Sequence, residues 1–173
     1  MSINEWWRDL PEERYWMIAP SKGIVGEALS APKTADDRRF EWSHELVGYT
    51  EPGDTIFVWD RTLPTPGIGA WGRVLGPLGE EQRVRNGSSL PHWRMPVSDT
   101  LRLATPITIT ALRRIGSDIV SVRDDVESLT DGPVYFPFIG SPDTLVPAPG
   151  YLTKIPRDLV ALLSSRFGFE FAL

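Results

Sequence analysis

The residues that could do chemistry in this chain are few and badly spaced for catalysis. Its histidines are His44 and His92, and it has no cysteine. A zinc centre needs three or four nitrogen, sulfur or carboxylate ligands, often at short motif spacing, and neither histidine has such a partner. Without cysteine there is no disulfide framework and no thiolate site. Neither a Gly-x-Ser-x-Gly elbow nor a P-loop occurs. Gly67-Ile68-Gly69-Ala70-Trp71-Gly72 spells Gly-x-Gly-x-x-Gly. A dinucleotide site, however, needs a strand before that motif and a helix after it. Here Pro64 and Pro66 precede it and Gly76-Pro77 stops any following helix. The glycines suit a hairpin whose backbone lies close to a neighbour. Asp36-Asp37, Glu80-Glu81 and Asp124-Asp125 read as solvated surface. The lysines, at 22, 33 and 154, never stand two residues after an acid, as a Pro-Asp…Asp/Glu-x-Lys nuclease requires. The expectation is a non-catalytic chain with no metal and no cofactor.

What remains is aromatic and cationic. The chain has 7 Trp, and its 18 cations divide into 15 Arg and 3 Lys. Arg forks onto phosphate and stacks on bases, although a net charge of −5 argues against a wholly basic nucleic-acid domain. Trp59 and Trp71 flank the loop from Arg61 to Gly67 and can come near each other. Ser21 and Lys22 leave the first expected strand. Arg61 and Arg73 are candidates for phosphate. The competing reading makes Trp59 and Trp71 a cross-strand core pair. Trp16, in an apolar run, is assigned to the core, and Trp6, Trp7 and Trp93 to packing.

The elements that must position these residues are short. With 173 residues, 41% hydrophobic, the chain reads as one domain, residues 1–173. Sixteen prolines and fifteen glycines punctuate it. Ser2-x-x-Glu5 is a capping-box pattern for a helix over 3–10. Tyr15–Ala19 and Asp54–Trp59 read as buried strands and Ile68–Leu75 as a return strand. Residues 24–30 suggest a helical turn, 76–92 a mobile loop. Strands are expected around 95–103, 134–138 and 144–146, and Thr108 as cap of a helix to Ile115. Pro156 suits the first turn of a last helix that Gly168 stops. The sum is α+β, a small open barrel of five to six strands with short flanking helices. No signal peptide or membrane-length apolar run is visible, so a cytoplasmic location without membrane contact is expected.

The order of these segments resembles that of the EVE domains. Tyr15-Trp16-Met17-Ile18-Ala19-Pro20-Ser21 resembles their first strand and its serine exit. Pro52-Gly53-Asp54-Thr55-Ile56-Phe57-Val58-Trp59 resembles the second strand with its Gly-Asp entry. Thr65-Pro66-Gly67-Ile68-Gly69 is similar to their Pro-Gly-Ile-x-Gly return, and Thr105-Pro106-Ile107-Thr108 followed by Leu112 to their helix start. The likeness runs over roughly residues 14–168. EVE domains share the PUA-like superfold with the YTH and ASCH domains. The resemblance implies a PUA-like barrel with a concave pocket for a modified nucleobase, and it adds Trp42 as a cage aromatic.

It also implies a function. EVE relatives read 5-methylcytosine or 5-hydroxymethylcytosine in DNA, and YTH relatives read methylated adenine in RNA. Inspecting one base means taking it out of the stack, and stacking on aromatic walls offsets the flip. Where short EVE proteins carry Tyr-His-Ser, this chain has Trp59-Asp60-Arg61, and Asp60 could accept from a cytosine amino group. The expected site is thus Ser21, Lys22, Trp42, Trp59, Asp60 and Trp71 for the base, with Arg61 and Arg73 on phosphate. The expected partner is nucleic acid with a modified base, DNA ahead of RNA, in modification-dependent restriction with a fused or partner nuclease. An RNA-modification reader and a small-molecule or nucleotide sensor are the alternatives.

Overall fold

The computed structural model describes residues 3–23, 25–33, 42–132 and 134–168. In chain order its elements are β1 (Tyr15–Ile18), β2 (Ala28–Pro32) and α1 (Trp42–Glu45), followed by β3 (Thr55–Asp60) and β4 (Gly67–Arg73). Next come β5 (Gly79–Arg85), β6 (Ser88–Pro96), β7 (Leu101–Thr108), α2 (Ile109–Arg114) and α3 (Gly116–Ser128). The chain closes with β8 (Phe138–Ile139), β9 (Val146–Pro147), β10 (Leu152–Ile155) and α4 (Arg157–Phe167). The class is α+β, as expected. A five-stranded sheet runs β10-β1-β3-β4-β7, a three-stranded sheet β2-β6-β5, and β8 pairs with β9. Neither larger sheet closes into a barrel. Among the described residues no helix is long and apolar enough to cross a membrane.

The large sheet lies between two apolar layers, and this explains the unbroken hydrophobic runs. Successive strand residues face opposite sides. Tyr15, Met17, Phe57 and Trp59 therefore join Leu112, Ile119, Leu159 and Leu163 of the helices in one core cluster. Trp16, Ile18, Ile56 and Val58 face the other way, onto Leu29, Met95 and Leu46 beneath the small sheet. β1 pairs parallel with β3, Tyr15 opposite Thr55, and antiparallel with β10. Buried on both faces and both edges, it has no solvent side to alternate with.

Local chemistry explains the boundaries. The Thr108 hydroxyl accepts from the Ala111 N–H and starts α2. Gly168, at φ 64, ends α4. Gly67 lies so close to β7 that a Cβ there would collide with the Ile107 carbonyl oxygen and stand 2.6 Å from Thr108 Cα. The glycines of the Gly-x-Gly-x-x-Gly match thus serve strand pairing.

Several expectations are corrected. Residues 5–10 make successive turns, Arg8 N–H to Glu5 O and Leu10 N–H to Trp7 O, in place of a helix; Ser2 lies outside the described residues. Residues 28–32 form β2, not a helical turn. Residues 79–92, expected as loop, belong to the β5–β6 hairpin, which turns on Asn86 and Gly87 at φ 49 and 81, while 95–96 are strand as expected. Asn-Gly supplies the two positive φ angles of a tight hairpin turn, a signal the polar composition hid. Of residues 134–138 only Phe138 lies in a strand, with the Tyr135 and Pro137 carbonyls accepting single N–H bonds from Lys154 and Ala148, and 144–146 contributes only Val146 to a strand. α3 was not expected: its Ile and Val are poor helix formers, and tertiary packing of Ile119 and Val126 holds it.

The N-terminal segment is pinned by a buried cation. The Lys154 ammonium donates to the Glu13 carbonyl at 2.5 Å and sits 4.5 Å over the Trp16 ring and 5.4 Å from that of Trp7. Burial pulls Lys154 down from 10.5 to about 8, against the opposing pull of Asp54 and Glu13.

Two expectations follow from this packing. The unfolded chain holds the Lys154 proton more tightly than the folded one, so stability rises as pH climbs from 8 toward 10.5. Urea midpoints at pH 7 and 9.5 should show wild type gaining on the order of 2 kcal/mol relative to Lys154→Met. Gly67→Ala should lower unfolding free energy by about 2 kcal/mol, because two strands must part to admit the methyl group.

Candidate functional site

Parallel pairing puts the carboxyl ends of β1 and β3 at one edge of the large sheet, and a cavity of about 770 Å³ opens there. Ala19 to Lys22 line it as β1 exits, in a turn closed by the Gly23 N–H on the Pro20 carbonyl. Arg61 enters from the exit of β3. Ala28, Ser30 and Pro32 of β2, with His92 of β6, form one wall, and Arg83 of β5 stands at its rim. His44 of α1 and Tyr151, just before β10, complete it. Its size falls within the usual range for ligand sites.

The polar groups are tied down. The Tyr151 hydroxyl accepts the Ser30 N–H at 3.1 Å, and its own N–H donates to the Ser43 hydroxyl at 2.8 Å. Its ring meets His44 edge-on at 5.7 Å. Burial raises the Tyr151 phenol above its ordinary value, so it stays neutral at physiological pH. Behind the rim, Glu81 accepts from Ser30 Oγ at 2.8 Å and from Arg83 Nε at 2.7 Å. Burial alone would raise this carboxyl, but those hydrogen bonds and the nearby Arg83 and Arg94 charges hold it below its usual range. Glu81 thereby orients Arg83 at the mouth.

Electrostatically the cavity is unlike the rest of the chain. Among the described residues its lining holds Lys22, Arg61 and Arg83, two histidines and no carboxylate, on a chain of net charge −5. A second cavity, about 600 Å³, opens at the amino ends of β1 and β3, where Lys154 lies. Its lining mixes Glu5, Asp9, Glu13, Glu51 and Asp54 with Arg8, Arg14 and Lys154, so carboxylates outnumber cations there.

Of the residues expected from sequence, Ser21, Lys22 and Arg61 meet at the first cavity. Trp42 opens α1, and its side chain lies outside the described residues. Trp59, Asp60, Trp71 and Arg73 are not among that cavity's lining, although the Asp60 carboxylate lies against Gly23 of the turn after β1. Trp59 is 1% exposed and packs edge-on against Phe138, 5.8 Å between centroids. No face of its ring is open to a base. Trp71 borders the same helix-side core, with the Arg73 guanidinium 5.7 Å from its ring. Alternation decided this: Phe57, Trp59 and Trp71 share one sheet face, and the cavity borders the other. Asp60 accepts both the Thr62 N–H at 2.8 Å and the Thr62 hydroxyl at 2.6 Å, capping the loop after β3. Arg73 donates to the Gly53 carbonyl at 3.2 Å and Thr55 Oγ1 at 2.9 Å, clamping the start of β3.

The residues missed are Ser30, His44, Arg83, His92 and Tyr151. The two histidines, set aside for lack of neighbours in sequence, line one cavity. Arg83 could have been found from the acid-free run that begins at Gln82.

No protein-family model matches the chain, and no curated protein matches it. Similar solved structures exist at low identity. A Pseudomonas putida crystal structure is 14% identical over 88% of this chain and 99% of that one, with a TM-score of 0.46. An NMR structure from Rhodopseudomonas palustris is 10% identical over 91% and 96%, TM-score 0.49. The crystal structure of human THYN1 in complex with DNA containing 5-methylcytosine is 8% identical over 88% and 96%, TM-score 0.49. No residue role transfers at such identities, so the chemistry of the site is taken from this chain.

The core placement of Trp59 has a measurable consequence. Trp59→Ala should cost about 3–5 kcal/mol in urea unfolding, the range for emptying a large aromatic site.

Proposed function

We propose that this chain is a non-catalytic reader of a modified base in nucleic acid, with the cavity between Lys22, Arg61, Arg83 and Tyr151 as its base pocket. The observation that carries the reading is the described lining, which sets three cations and no carboxylate at or near the mouth. The motif order that resembles EVE domains supports it, and sets modified cytosine in DNA as the ligand class.

The mechanism follows from the parts. Extruding a base costs a few kcal/mol. Stacking on an aromatic ring returns about 1–3 kcal/mol per base, and Tyr151 offers the ring that Trp59 does not. Its hydroxyl bond to Ser30 and its amide bond to Ser43 fix the ring before any ligand arrives, so little ordering entropy is lost on binding. His44 and His92 give the lining hydrogen-bonding groups for the edge of a base. Lys22 and Arg61 are exposed on turns, with Arg83 at the opposite rim, and bind the flanking phosphates. Selectivity for the modification comes from the shape of the cavity. In a cell the chain recruits or belongs to a nuclease of modification-dependent restriction.

Gel shifts with duplexes carrying one cytosine, 5-methylcytosine or 5-hydroxymethylcytosine test this, with modified RNA and free nucleosides as parallel arms. A modified DNA duplex should bind best. Three phosphate contacts imply a slope of about −3 for log K against log salt. Tyr151→Ala should weaken modified-duplex binding roughly tenfold or more, while Tyr151→Phe, which keeps the ring and loses only its hydroxyl bond to Ser30, should lose clearly less. Equal affinity for every duplex would refute the reading; a preference confined to RNA or to free nucleosides would reassign its ligand.

A further inference from the structure

The β5–β6 hairpin projects beyond the cavity that its base helps to form. Residues 82–89 are all exposed, and Val84 is 76% exposed with its apolar side chain in water. Burial in the core therefore does not account for an apolar residue at Val84. The ribbon keeps its form through continuous pairing from Gly79 opposite Arg94 to Arg85 opposite Ser88, closed by the Asn86-Gly87 turn.

Its two faces differ. Residues directly opposite in an antiparallel pair share a face, as do residues two apart in one strand. One face thus carries Glu81 and His92, then Arg83 and Leu90, then Arg85 and Ser88. Arg83 and His92 line the cavity, so this face runs outward from the pocket wall. The other face carries Gln82, Val84 and Ser89, with Ser89 Oγ donating to Gln82 Oε1 at 3.0 Å. From Gln82 to Arg94 the sequence contains three arginines and no acid.

We propose that this ribbon enters the major groove of duplex DNA beside the extruded nucleotide, an inference that rests on the base-pocket reading and narrows its ligand to a DNA duplex. Arg83 and Arg85 follow one phosphate strand away from the pocket. Val84 and Gln82 face the base edges, where the groove displays thymine methyl groups and hydrogen-bonding atoms. The dimensions agree. From Gln82 to Arg85 the strand rises roughly 10 Å, and the groove is about 8.5 Å deep and wide enough for a two-stranded ribbon. The major groove of A-form RNA is too narrow for side chains to read, so double-stranded RNA does not accept the ribbon.

Two variants test the ribbon apart from the pocket. Arg85→Gln removes the outer cation. A shortened hairpin lacking Val84, Arg85, Ser88 and Ser89 removes two complete cross-strand pairs, which preserves register, alternation and Arg83. Fluorescence anisotropy should be measured on a 5-methylcytosine DNA duplex, the matching single strand, the matching RNA duplex and free 5-methyl-2′-deoxycytidine, with thermal melts to confirm folding. Arg85→Gln should weaken duplex DNA binding about five- to tenfold, reduce the salt slope by about one, and leave nucleoside binding unchanged. The shortened chain should lose most of its preference for duplex over single strand. Wild-type affinity for duplex DNA in both folded variants would overturn the ribbon inference while leaving the pocket intact. Equal binding of the RNA duplex by wild type would also overturn it. Absence of any preference for the modification in wild type, with ribbon variants still impaired on duplex, would remove the pocket reading instead.

Discussion

The arrangement depends on how one buried indole is satisfied. Trp16 is 1% exposed on β1, an interior strand of the large sheet, and its buried N–H needs an acceptor. Asp54 supplies it at 2.7 Å. The same carboxylate accepts Arg14 Nε at 2.8 Å and the Glu51 N–H at 2.9 Å, so its burial is compensated by three donors. Asp54 directly precedes β3, and Arg14 directly precedes β1. This one carboxylate therefore ties the two strand starts together and sets their parallel register. Their carboxyl ends must then emerge side by side, and the turn at Pro20–Lys22 and the loop at Asp60–Arg61 share one edge of the sheet. The cavity is a consequence of that register.

The two ends of the parallel pair consequently differ in character. At the amino end, carboxylates gather around Arg14 and Lys154, and the buried ammonium lies against Trp16 and Trp7. At the carboxyl end the described lining carries cations alone. A chain of net negative charge can thereby present a local cationic mouth. The charge of the whole chain says little about a site when carboxylates gather at one end of the parallel pair and are absent from the described lining at the other.

Ring placement follows equally simple geometry. In a sheet covered on both sides, every large side chain is buried somewhere, and the pleat decides in which layer. Trp59 and Trp71 fall on the helix side with Phe57, and Trp59 closes against Phe138. The aromatic wall of the cavity is Tyr151, ahead of the antiparallel β10, a residue far from β3 in sequence. Abundance marks tryptophan as interesting, but a ring serves a ligand only where its layer is incomplete.

The sequence by itself determined the α+β class, the buried runs of β1 and β3, the capped start of α2, the glycine stop of α4 and the structural use of the Gly67–Gly72 glycines. Each is decided by neighbours a few residues apart: an apolar run, a hydroxyl before a helix, a glycine at positive φ. Ser21, Lys22 and Arg61 were legible for the same reason, since residues that leave buried strands must surface at the sheet edge. The β5–β6 ribbon was also written locally, in Asn86-Gly87, though its polar composition reads as loop. Only the tertiary structure decided the rest. Which face Trp59 occupies depends on what covers each side of the sheet. The meeting of His44, His92, Arg83 and Tyr151 depends on the pairing of β2 with β6 and of β1 with β10. Such long-range pairing is a property of the whole packed chain, and no spacing along it records which residues will share a cavity.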